Sequence, residues 1–126
     1  MHNKTPYETG SQTVLDAAVA DDNGVIIGCE GLATVCVQLT GTLAASDVYF
    51  EGTVDDETVT SPTWVGVLGW NRNTGVKDLV ATAVGLYAID VTGLSQFRVR
   101  LDWTTADEVT AVAKGTSLPI TTLVTA

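Results

Sequence analysis

The sequence predicts an all-β fold, a two-sheet antiparallel β-sandwich of about nine or ten short strands, with jelly-roll and immunoglobulin-like topologies both open. Three observations carry that expectation. Phe97-Arg98-Val99-Arg100-Leu101-Asp102-Trp103 alternates apolar and polar residues without a break, the mark of a strand with one buried face. Turn formers recur at short spacing, as in Asp21-Asp22-Asn23-Gly24 and Asn71-Arg72-Asn73-Thr74-Gly75. No segment joins helical periodicity to helix caps, which leaves a sandwich or barrel as the natural arrangement.

The chain has 126 residues, 45% hydrophobic and 17% charged. That fits one ordered domain large enough to bury a core without metal or disulfide support. Residues 1–11 read as a flexible polar arm and 12–126 as a single sandwich domain. The opening MHNKTPYETGSQ lacks an apolar stretch, so no secretory signal is expected. No apolar run approaches the roughly 20 residues of a membrane helix, and no membrane partner is expected.

In order, Gln12 to Val19 is the first expected strand. Asn23-Gly24 supplies the positive-φ positions of a tight turn, and Val25 to Glu30 follows. Ala33 to Thr40 sends Val35, Val37 and Leu39 to the core and Cys36 and Gln38 outward. In Ser46 to Trp70, Val48, Phe50, Gly52 and Val54 share one face, and Tyr49, Glu51 and Thr53 the other. An acidic loop, Asp55-Asp56-Glu57, separates that strand from a second beginning at Trp64. Val76 to Thr82 reads as an edge strand guarded by Lys77 and Asp78. Leu86 to Val91 puts Tyr87, Ile89 and Val91 on one face. Glu108 to Lys114 and Leu118 to Val124 complete the series.

The chemistry is sparse. Fifteen acidic against six basic residues give a net charge of −9, which argues against a nucleic-acid partner. The acidity serves solubility or a basic partner surface. His2 is the only histidine, so a Ser-His-Asp or Cys-His site is not expected, and the chain is not read as an enzyme. No phosphate-cradling glycine loop is present. Cys29 and Cys36 read as free thiols; a hairpin over Glu30 to Ala33 would instead set them opposite each other. With a lone histidine they make a poor zinc site. Asp55, Asp56 and Glu57 could in principle bind Ca²⁺ or serve a glycosidase, but they match no ligand spacing and read as a solvated loop. Asp21 and Asp22 read as turn residues in the same way. No cofactor is expected.

Four residues stand out as contact candidates. Arg98 and Arg100 form an outward charged row with Asp102, suited to cross-strand pairing or to an interface. Trp70, beside a turn, is the tryptophan best placed for exposure, whereas Trp103 alternates with core residues. Trp64, Trp70 and Trp103 together suggest a sugar-stacking platform as an alternative. Tyr7 could anchor the arm to a neighbouring subunit.

VCVQLTGT (Val35 to Thr42), VYFEGTVDD…TWVGV (Val48 to Val67) and GLYAIDVTGLSQFRVRL (Gly85 to Leu101) together resemble a family of small β-sandwich structural proteins of tailed-bacteriophage virions. The likeness covers about Val35 to Leu101 and lies in the order of the motifs. DDETVTSP departs from it, standing where a shorter Gly-rich turn is expected. The resemblance implies a non-enzymatic structural role, of capsid-decoration, head-fibre or tail-module type. For a small acidic chain it implies a decoration protein, made in the host cytoplasm, that binds the major capsid protein and copies of itself, commonly as a trimer. The alternative is a carbohydrate-binding or adhesion module for a host-surface glycan.

Overall fold

The computed structural model describes residues 8–120. Their eleven strands are β1 Gln12–Ala18, β2 Ile27–Gly28, β3 Thr34–Thr42, β4 Asp47–Thr53, β5 Val65–Gly66, β6 Gly69–Asn71, β7 Lys77–Asp78, β8 Val80–Ala81, β9 Gly85–Asp90, β10 Gln96–Asp102 and β11 Glu108–Thr116. Sheet A has the order β1-β11-β3-β9-β6-β7 and sheet B the order β2-β10-β4-β5, with β8 also paired to β4. All pairs are antiparallel. The predicted sandwich is therefore the observed fold. β1 pairs with β11, β2 with β10 and β3 with β9. Such nesting, from the ends inward, is jelly-roll wiring.

Alternating strands build the core. Val35, Val37, Leu39, Tyr87, Ile89 and Val91 are buried from sheet A, and Val48, Phe50, Phe97, Val99 and Leu101 from sheet B. Each contributes about 1.5–3 kcal/mol of burial if its side chain is large and aliphatic or aromatic. Phe50 lies at the centre, its ring 5.4 Å from Tyr87 and 6.5 Å from Phe97. It presses so closely under β6 that a Cβ on Gly69 would stand 2.3 Å from the ring. Gly24 has φ +71°, as its turn requires, and a Cβ there would lie 2.3 Å from the Val99 carbonyl oxygen.

The structure corrects several boundaries. Val54 is 73% exposed while Thr53 is buried, because β4 ends at Thr53 and its alternation ends with it. Val25 and Ile26 are exposed and only Ile27–Gly28 of that segment pairs. Val76 to Thr82 is two strands, not one: β7 closes sheet A and β8 joins sheet B, so this segment crosses the open side of the sandwich. Lys77 and Asp78 do stand exposed on the edge. Leu118–Ile120 are not strand, and the remainder of the expected last strand lies outside the described residues. β2 and β3 belong to different sheets, so no hairpin joins Cys29 to Cys36. Both thiols are free: Cys29 is in the core, while Cys36 alternates with Val35 and Val37 and points outward.

Of the arm, residues 1–7 lie outside the described residues. Glu8 bridges to Thr116, the Thr9 amide donates to the Gly115 carbonyl at 2.9 Å, and the Gly115 amide donates to Thr9 Oγ1 at 2.8 Å. The sheet edges are all short or irregular. β7, β2 and β5 have two residues each, and the register of β1 shifts twice along its length.

Candidate interaction surfaces

On the outer face of sheet B the register sets Arg98 opposite Glu51 and Arg100 opposite Tyr49. Glu51 accepts from both arginines, from Arg98 Nε at 2.9 Å and from Arg100 Nε at 3.1 Å. Arg98 also lies 4.4 Å over the Trp64 ring, and Arg100 4.4 Å over the Tyr49 ring. The result is a ladder, Trp64–Arg98–Glu51–Arg100–Tyr49. The Glu51 side chain is only 12% exposed, which spares these pairs much of the solvent screening that weakens surface salt bridges.

Arg98 and Arg100 thus share Glu51, an acidic neighbour across the strand. Asp102 faces Asp47 at the strand end, and no ion pair among the described residues joins it to either arginine. Glu51, Trp64 and Tyr49 were not identified as partners from sequence. Their signal was present in the outward phase of Tyr49 and Glu51, and becomes readable once β4 and β10 are known to pair.

Trp70 lies on the other sheet. Its neighbour Gly69 faces Phe50, so Trp70 faces outward. Register then makes one row across five strands: Lys77, Trp70, Ala88, Cys36, Lys114. Trp70 is half-buried, and Ala88 between it and Cys36 is fully buried although it points outward. Burial raises the Cys36 thiol pKa, while the charge of Arg72 and its hydrogen bond to the thiol lower it. A small cavity of about 130 Å³ opens here beside Cys36, Arg72 and Lys114. Lys114 lies 3.8 Å from Glu8, both side chains being about half exposed.

The three tryptophans share no platform. Trp64 stacks on Arg98, Trp70 belongs to sheet A, and Trp103 packs against the core with Nε1 donating to the Asp107 carbonyl at 2.7 Å. Tyr7 lies outside the described residues.

The acidic loop holds its own shape. Asp55 Oδ2 accepts from the Thr63 amide at 2.9 Å. Asp56 Oδ1 accepts from both the amide and the hydroxyl of Thr58, and these bonds, the hydroxyl foremost, lower its pKa. The Gln96 side-chain amide donates to the Asp55 carbonyl at 3.0 Å, tying the loop to β10. Glu30, Asp56 and Glu57 border an open cleft of about 640 Å³ whose apolar wall includes Ile26 and Leu94. Among the described residues no group of three or more His, Cys, Asp or Glu is placed to hold a metal ion. At the other end, Asp22 forms the expected turn, accepting from the Gly24 amide at 2.8 Å, and Asp21 accepts from the Trp103 amide at 2.8 Å.

Asp107, which the sequence did not single out, is the most completely bonded carboxylate. It accepts from the backbone amides of Ala44, Ala45 and Ser46 at 3.0, 2.9 and 2.6 Å. These bonds, led by Ala44, hold its pKa far below the usual carboxylate range. Ala106 before it has φ +79°, a strained conformation for a residue with a Cβ. The turn that delivers Asp107 to the β3–β4 connection carries that strain. No helix among the described residues is long and apolar enough to cross a membrane.

No protein-family model matches the chain, and no curated protein matches it. Two solved structures share its fold. The SPBc2 prophage-derived protein YomS superposes with a TM-score of 0.77 at 16% identity, over 92% of this chain and 98% of that one. The PBSX exported protein XepA superposes with a TM-score of 0.81 at 14% identity, over 92% of this chain but 40% of its own length. This chain is therefore similar in fold to the whole of one prophage protein and to less than half of another.

Proposed function

We propose that this chain is a non-enzymatic phage protein that decorates the outer surface of a tailed-phage head. The observation that carries this reading is the likeness to YomS, a prophage-derived protein, over nearly the full length of both chains. The virion-family resemblance of Val35 to Leu101 supports it, as does the placement of charged and aromatic side chains on the outer sheet faces. The major capsid protein and further copies of this chain, three to an assembly, are the partners. Contacts across capsomer junctions would stabilise the shell by mass action against the pressure of packaged DNA. The test is to add the purified protein to heads lacking it and image them. Copies at defined lattice sites are expected, and heads that remain bare exclude the role.

A second reading is an adhesion module for a host-surface glycan. It draws on the partly accessible Trp70 indole on an outer face and on a structural neighbour named an exported protein. A glycan array comparing the parent with Trp70→Ala decides it: binding that the substitution removes supports it, and no binding to any glycan dismisses it.

A further inference from the structure

We propose that the outer face of sheet A receives a second copy of this chain, which docks end-on through its acidic loop end. The proposal rests on the assembly reading above and names the two surfaces that would meet.

The starting observation is where the cations are. Among the described basic residues, Lys77, Arg98, Arg100 and Lys114 stand on strands and Arg72 in the turn after β6. On sheet B, Arg98 and Arg100 are already held by Glu51 and by two rings. On sheet A, Arg72, Lys77 and Lys114 surround Trp70 and Cys36 and are all exposed. Arg72 and Lys77 form no ion pair among the described residues, and Lys114 has only the 3.8 Å contact with Glu8. The row from Lys77 to Lys114 crosses four strand spacings, about 19 Å. Leu86, 41% exposed, adds apolar surface beside it.

The complementary surface is on the same molecule. Glu30, Asp56 and Glu57 surround the 640 Å³ cleft, with Ile26, 48% exposed, on its wall. None of these carboxylates forms an ion pair among the described residues. The cleft has room for long basic side chains, and its apolar wall can meet their stems.

Charge and the cleft together favour one orientation. Two copies each bearing −9 repel, but beyond about 8 Å physiological salt screens that repulsion. What remains is local. End against end sets acid on acid, and the outer face of sheet A also carries Glu8, Asp90 and Glu108. Face against loop end brings Arg72, Lys77 and Lys114 to the three carboxylates that surround the cleft. Such a contact is heterologous, and heterologous contacts close into rings when the rotation between copies allows. A ring is compatible with the proposed trimer.

The test is a charge exchange read by sedimentation velocity from about 50 to about 500 mM salt. All four positions are exposed, and thermal melts verify folding. The parent is expected to associate at low salt, at least tenfold more tightly than at high salt. Arg72→Glu with Lys77→Glu should be monomeric, and so should Glu30→Lys with Glu57→Lys. Mixed together, the two variants should associate as alternating one-to-one pairs, because each supplies the surface that the other now needs, and they should not close the parent's ring of three, which would force one contact between like variants. A parent that is monomeric throughout, a variant that still associates alone, or folded variants that do not combine would each overturn the proposal. A monomer that nonetheless binds heads at defined sites overturns this interface and leaves the head-surface role standing.

Discussion

The two outer faces of this sandwich use their cations in opposite ways. On sheet B, one carboxylate and two rings hold both arginines, and the Arg98 side chain is only 16% exposed. On sheet A, Arg72 and Lys77 stand exposed with no ionic partner among the described residues. The same residue types, on neighbouring layers of one domain, therefore serve different ends. The difference lies in what sits across the strand. Glu51 is opposite Arg98, whereas Lys77 is opposite Trp70. A cation with a largely buried carboxylate opposite becomes part of the fold, and one without it stays exposed.

The sharpest way to break this contrast is Glu51→Ala. It leaves two guanidiniums on a partly desolvated face, and should lower the unfolding free energy by about 2–3 kcal/mol. Urea denaturation measures this. A loss under about 0.5 kcal/mol would place the ladder among ordinary surface pairs and make the two faces equivalent. Trp64→Ala removes one ring and should cost about 1 kcal/mol, a loss that shrinks when Arg98 is already alanine. Lys77→Ala should change stability by no more than about 0.5 kcal/mol, while weakening low-salt association in the same sample.

Acid probes a part of the molecule outside both faces. The Asp107 carboxyl has a depressed pKa in the folded chain and an ordinary one, about 3.9, in the unfolded chain. Its stabilising contribution is complete well above that pH and is lost as pH falls from there toward the folded value. Melting temperatures from pH 7 to pH 3 should therefore drop in parallel for the parent and the Lys77 variant. Asp107→Asn should be less stable at neutral pH and less sensitive to acid. An unchanged acid slope in that variant would remove Asp107 from this role.

The fold class was legible because its signal is local. Phe97 to Trp103 and Val35 to Leu39 announce their buried faces by alternation alone, and Asn23-Gly24 announces its turn. Pairing is not local. Val76 to Thr82 has the composition of one strand, yet hydrogen bonds to β6 and to β4 divide it between sheets. The candidate surfaces divide in the same way. Arg98 and Arg100 were visible as an outward row, but Glu51 lies 47 residues before Arg98 in the chain and becomes their partner only through register. Asp107 was invisible for the same reason, since the amides it binds lie 61 to 63 residues away. The Asp55-Asp56-Glu57 run attracted attention as a cluster, and much of its bonding turns back on its own loop.

The two-residue β2, β5 and β7 and the irregular β1 carry a last consequence, one of turnover. Edges this brief offer a neighbour almost no backbone to extend, so a second copy of this chain would have to be met through side chains. Contacts of that kind form and break one unit at a time, without unzipping a shared sheet. In the proposed head-surface role the coat would be tiled, not knitted: a tile that came loose would leave its neighbours seated, and a dissolved one could take the vacant position.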